Sequence, residues 1–97
     1  MKLKKYLNEA EFYEIIESRH KDPHHMLGIH TGDKGLVYVN VFQPHAKQIA
    51  VIARPSDERV LMEQVGHTGF FTVTLPQVTD YVLEYTYADG KVMIAAD

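Results

Sequence analysis

Four of the six histidines in this 97-residue chain lie in one run, RHKDPHHMLGIH, between Arg19 and His30. Imidazole at that density could bind a metal or move protons. A catalytic zinc needs three nitrogen or carboxylate ligands held rigidly around an open fourth position. His20 and His24 have the i, i+4 spacing of a helical ligand pair, but Pro23 falls between them and breaks the helix that would aim them together. There is no cysteine and no HExxH, so neither a metal nor a cofactor is expected. Asp57 and Glu58 are neighbours in a Pro-Ser loop, without the opposed placement across a substrate that two working carboxylates require. Ser56 has no strand–elbow–helix to present it, and TGDKG lacks the spacing of a phosphate-binding loop. No catalytic residue is expected.

The aromatic residues offer a different chemistry, because a tyrosine face can stack on a sugar ring. Tyr81, Leu83, Tyr85 and Tyr87 alternate onto one side of a strand, which places these tyrosines in a core or at its rim with hydroxyls reaching water. Tyr38 faces away from the apolar side of its own strand, with Asn40 beside it. Tyr38 and Asn40 are therefore the candidate carbohydrate-binding residues. Phe70 and Phe71 are adjacent and must point opposite ways, so one of them faces outward or is covered by something else, such as the N-terminal helix or another domain. An exposed phenylalanine inside an apolar patch would mark an interface. An isolated Tyr38 among polar groups would favour sugar.

Two kinds of element position these residues. Asn8 and Glu11 have the spacing of a capping box, flanked by Leu7 and Phe12 as a hydrophobic staple. Phe12, Ile15 and Ile16 form an apolar stripe, and the helix is expected to end near Arg19, ahead of Pro23. A short helical turn follows, with Asp22 as N-cap, Pro23 at the first position and Gly28 as a left-handed stop. From Leu36 the period becomes two, with runs at Leu36–Phe42, Gln48–Ala53, Val60–Val65, Phe70–Leu75, Tyr81–Tyr87 and Lys91–Ala95. Turn-rich connections separate them, including Asp89-Gly90. Six short antiparallel strands at regular spacing predict an all-β fold: an immunoglobulin-like antiparallel β-sandwich with a short N-terminal α-helix. The division is a helical lead-in over 1–27 and a sandwich over 28–97, in one domain.

Composition excludes several partners. A net charge of −3 and a pI near 6.0 give no basic field for nucleic acid. No apolar run approaches the length of a membrane span, and no signal peptide opens the chain. Together with the absence of cysteine, these features predict a cytoplasmic protein.

In this order, IIESRHKDPHHMLGIH, VYVNVFQPHAKQIAVI, MEQVGHTGFFTVTLP and YVLEYTYADGKV resemble the N-terminal region of bacterial glycogen branching enzymes, from about Ile15 to Asp97. The most specific parts are His20, Asp22, Pro23, Leu27, Gly28 and His30, then Gly69, Phe70 and Phe71. All are expected to be structural. Phenylalanine is common in the family where this chain has His24. Members of that family cleave an α-1,4 linkage and transfer the released chain to a 6-hydroxyl, using two carboxylates on a (β/α)₈ barrel. The resemblance therefore implies a module that is catalytically inert alone. Its expected partners are the following sandwich and catalytic barrel domains of the same chain, with α-glucan (glycogen, malto-oligosaccharides) as the candidate ligand. It would assist glucan binding or chain-length selection, or else brace those domains without touching sugar.

Overall fold

The computed structural model describes residues 3–23, 26–32, 34–76 and 80–97. Helix α1 spans Glu9–Ile16, and the side chain of Asn8 caps it by accepting from the Glu11 N–H at 2.9 Å. The Glu11 carboxylate lies 2.8 Å from Nε2 of His20 and so ties the helix to the histidine-rich loop. The helix ends three residues earlier than the sequence pattern suggests, because Ser18 adopts a left-handed φ of 57°. Its N–H reaches the Ile15 carbonyl at 3.1 Å and the Arg19 N–H reaches that of Glu14 at 2.7 Å. These two bonds are the paired closure of a Schellman motif.

Among the described residues eight strands follow: β1 Gly28–Thr31, β2 Leu36–Phe42, β3 Ala46–Arg54, β4 Glu58–Leu61, β5 Glu63–Gln64, β6 Phe70–Pro76, β7 Asp80–Tyr87 and β8 Val92–Ala95. They form two antiparallel sheets, ordered β1-β2-β6-β5 and β4-β3-β7-β8. The expected β-sandwich with one short N-terminal helix is what the chain forms, with two strand assignments corrected. β1 lies within the expected sandwich span but ahead of the first expected strand run, since GIHT offers one large apolar residue. The run Val60–Val65 is two strands in different sheets. At Met62 the chain crosses from one layer to the other, burying that side chain between them while its N–H bonds to the Ile49 carbonyl at 2.8 Å.

The core between the sheets gathers Val39, Val41, Ile49, Val51, Phe71, Leu75 and Leu83, with Tyr81, Tyr85 and Tyr87 packed at its margin. A second core lies on the other side of the first sheet, where Leu7, Phe12, Ile15 and Met26 meet Val65 and Phe70. The rings of Phe12 and Phe70 pack edge to face at 5.1 Å, a favoured arrangement of aromatic quadrupoles. The N-terminal helix is thus what covers the second phenylalanine, and Phe70 and Phe71 are both buried. Three consecutive residues of β2 (Val39, Asn40, Val41) and of β6 (Phe70, Phe71, Thr72) lose their exposure because apolar layers press on both faces of this sheet.

Candidate functional site

The histidine-rich loop resolves into local architecture. His20 Nδ1 accepts from the Asp22 N–H at 3.0 Å, which leaves the ring proton on Nε2 to donate to Glu11. Asp22 itself is exposed and enters the turn through its main chain. The Pro23 carbonyl accepts from Met26 and Leu27 at 3.0 and 2.9 Å. Gly28 stops the turn at φ 85°, as its type requires. His30 donates from Nε2 to the Leu27 carbonyl at 3.0 Å. His24 and His25, and the capping donors expected there, lie outside the described residues. Among the described residues no three His, Asp or Glu side chains converge as metal ligands would. Gly69 has a separate role: an added Cβ would lie 2.5 Å from Cα of Pro44, so the β2–β3 connection can cross only above a glycine.

Asn40 is not a surface residue. It is 1% exposed, and the solvent-facing side of β2 proposed by alternation is the side that α1 covers. Its amide nitrogen donates to the Met26 carbonyl at 2.9 Å, and its oxygen accepts from the Thr72 hydroxyl at 2.7 Å. Tyr6 completes the chain by donating to Thr72 at 2.7 Å. Buried amide and hydroxyl groups persist because each is paired in this way.

Tyr38 keeps an accessible margin, but it does not stand alone. Its ring lies 4.5 Å from that of Tyr6 and 5.3 Å from that of His30, giving a short aromatic row across the outer face of the first sheet. Tyr6 and Tyr38 of this row line an open groove of about 420 Å³, together with Gly32, Thr74, Lys5 and Lys34. Alternation along β2 and β6 located Tyr38 and could have located Thr74, its cross-strand partner. Nothing periodic located Tyr6, because only the docking of the N-terminal segment brings it there. The aromatic row can stack on an apolar ring face, and the Thr74 hydroxyl can exchange hydrogen bonds with a polyol.

Among the described residues no layer lies over the outer face of the second sheet. Cross-strand register places Leu61, Ala50, Glu84 and Ile94 in one row, with Gln48, Thr86 and Val92 in the next. Leu61 is 53% exposed, and Val92 and Ile94 are each 58% exposed. Arg59 bridges to Glu84 across this face at 2.7 Å. Tyr81 donates to the Asp97 carboxylate on the opposite, core-facing side. Burial first, and then that bond, pushes the Tyr81 phenol above its ordinary range, and burial raises Tyr85 likewise. No described helix is long and apolar enough to cross a membrane.

Comparison with known proteins places this architecture. The family described as "alpha-1,4-glucan branching enzyme GlgB, N-terminal domain" matches residues 8–97. The 1,4-alpha-glucan branching enzyme GlgB of Mycolicibacterium paratuberculosis is 33% identical over 91 residues, covering 91% of this chain and 12% of that protein. Its counterpart from Nocardia farcinica is 38% identical over 85 residues, covering 86% and 11%. The chain thus spans about one-eighth or less of these relatives. Among solved structures, the catalytic module of the glycogen-degrading pneumococcal virulence factor SpuA superposes with a TM-score of 0.57 at 23% identity, over 71% of this chain and 12% of that one. The apo pullulanase of Paenibacillus barengoltzii superposes with a TM-score of 0.58 at 12% identity, over 84% and 15%. Both share the fold. On its matched residues, this chain belongs to the family of glucan branching enzyme N-terminal domains.

Proposed function

We propose that residues 1–97 act as one cytoplasmic accessory module of a 1,4-α-glucan branching enzyme, which transfers α-1,4-glucan chains to 6-hydroxyls. The module holds a segment of glucan on its Tyr6–Tyr38 groove. The single observation supporting this is that groove: two tyrosine rings 4.5 Å apart, open to solvent, beside the hydroxyl of Thr74. The carboxylates of the transfer reaction belong to another domain of such an enzyme. This module contributes by raising the local concentration of glucan near them, which biases the chain lengths transferred. A shallow groove gains little from each sugar ring, so the isolated chain should bind maltoheptaose with a Kd of about 1 mM, or roughly −4 kcal/mol. Titration followed by amide shifts should perturb Tyr6, Gly32, Tyr38 and Thr74 together. An unperturbed spectrum at millimolar ligand rejects direct binding.

The bare outer face of the second sheet supports a further reading, in which the following domains of the same enzyme dock on Leu61, Val92 and Ile94. These exposed apolar side chains lie on the two edge strands β4 and β8 of that sheet, either side of the Arg59–Glu84 bridge, and exposed apolar surface of this kind commonly marks an interface. Hydrogen exchange should then be slower at β8 in the full-length enzyme than in the isolated module. Equal exchange in the two contradicts this reading.

A further inference from the structure

We infer that the glucan site continues past Tyr6 into a second hollow at the edge of the first sheet, so that it takes a linear glucan chain in preference to a disaccharide. The inference rests on the reading of the Tyr6–Tyr38 groove as a glucan site. It adds the length of the ligand and two residues that select it, Lys4 and Glu63. The second hollow, of about 230 Å³, is lined by Lys4, Tyr6, Glu63, Thr72, Val73 and Thr74. Tyr6 and Thr74 line the first groove as well, so the two meet at those side chains. Register puts both on one face of the sheet: Tyr38 pairs with Thr74, and Asn40 and Glu63 both pair with Thr72, while side chains two apart along a strand share a face.

The path leads from the β1–β2 hairpin at Gly32, over Tyr38 on β2 and Thr74 on β6, to Glu63 on β5. β1 and β5 are the two edges of this sheet, three inter-strand spacings or about 14 Å apart. Maltose is too short to cover that path, and a chain of several α-1,4-linked glucose residues is not. Two bonds of the N-terminal segment hold the Tyr6 ring between the hollows: its hydroxyl to Thr72 at 2.7 Å, and the Lys4 ammonium to Oε2 of Glu63 at 3.3 Å. The first groove offers aromatic faces, and the second offers polar groups. The Thr72 hydroxyl is spent on Asn40 and Tyr6, which leaves sugar hydroxyls to Lys4, Glu63 and Thr74. Lys4 and Glu63 are both more than half exposed, and a carboxylate has more acceptor sites than one ion pair uses. Their charges cancel, which suits a neutral polyol.

The test is an amide-shift titration of the chain with maltose and with maltoheptaose. Maltoheptaose should bind about tenfold more tightly than maltose, and it alone should shift Glu63 and Val73 together with Gly32 and Tyr38. In the variant Glu63→Ala the ratio should fall to about one. Melting should change little, because an exposed ion pair contributes little to stability. Equal affinity for the two sugars, with shifts confined to the first groove, overturns the extension while leaving the glucan groove standing. A tenfold ratio that survives in Glu63→Ala also overturns it, since the gain then comes only from the many positions a long chain offers to one hollow. Equal losses of affinity for maltose and maltoheptaose in that variant would make the Lys4–Glu63 pair a brace for Tyr6, and would contradict its place in the site. If neither sugar perturbs the groove, the glucan reading fails as well.

Discussion

Truncating Asn40 to alanine would remove, at one stroke, the donor to the Met26 carbonyl and the acceptor of the Thr72 hydroxyl. Leaving a buried polar group without its partner costs about 1–3 kcal/mol, so Asn40→Ala should destabilise by about 2–4 kcal/mol, read from the midpoint of urea unfolding. A change under half a kcal/mol on the same scale would mean that the network is not needed to seat the helix. Gly69→Ala is the second case. The new methyl group would sit 2.5 and 2.7 Å from backbone atoms of Pro44, which cannot rotate aside as a flexible side chain would. Overpacking of this kind costs about 1–3 kcal/mol, and melting should fall accordingly. The two residues were not equally legible. Gly69 stood out through the family resemblance, although its reason lay in a strand connection far along the chain. Asn40 was misplaced because period two names a face of the strand without saying what will lie on it.

The same gap separates the elements that were readable from those that were not. The start of α1 was clear, since Asn8, Leu7 and Phe12 form a local signal that their own packing then uses. Its end was not, because a serine at a left-handed φ advertises nothing that a glycine would. The switch of sheets at Met62 was hidden inside an unbroken run, where only the competition of two layers for one strand could reveal it. Phe12 is the residue through which α1 joins the sheet, being fully buried against Phe70. Phe12→Ala should therefore cost about 3–5 kcal/mol and release the N-terminal segment, with loss of amide protection at β2 and β6. Retained protection would mean the helix is an ornament on the sandwich. At the margin of the other core, the raised phenols of Tyr81 and Tyr85 give a pH dependence of known sign. The folded chain keeps protons that the unfolded chain releases, so this contribution is complete below about pH 10 and is lost as pH rises beyond it. A tyrosinate absorbance titration should show Tyr81 and Tyr85 ionising above the ordinary phenol range in the folded chain. An ordinary midpoint for these two would contradict this.

At the scale of the whole molecule, a helix and two sheets make three layers with two differently equipped outward surfaces. The surface beside the helix carries the aromatic row and groove, and the far sheet carries exposed aliphatic side chains around the Arg59–Glu84 bridge. That division suits a module with two attachments, one to polymer and one to the rest of an enzyme. Period two along β2 already pointed to Tyr38. The groove itself needed Tyr6 and Tyr38, which are 32 positions apart in the chain, to be brought together by the docking of the N-terminal segment and the Tyr6–Thr72 hydrogen bond. The proposed role of the module turns on those two rings meeting glucan. Intermolecular Overhauser contacts between maltoheptaose and the chain, measured at millimolar sugar, test this directly. The ring protons of Tyr6 and Tyr38 should show contacts to the sugar. Contacts confined to the outer face of the second sheet, or none at all, would contradict the account.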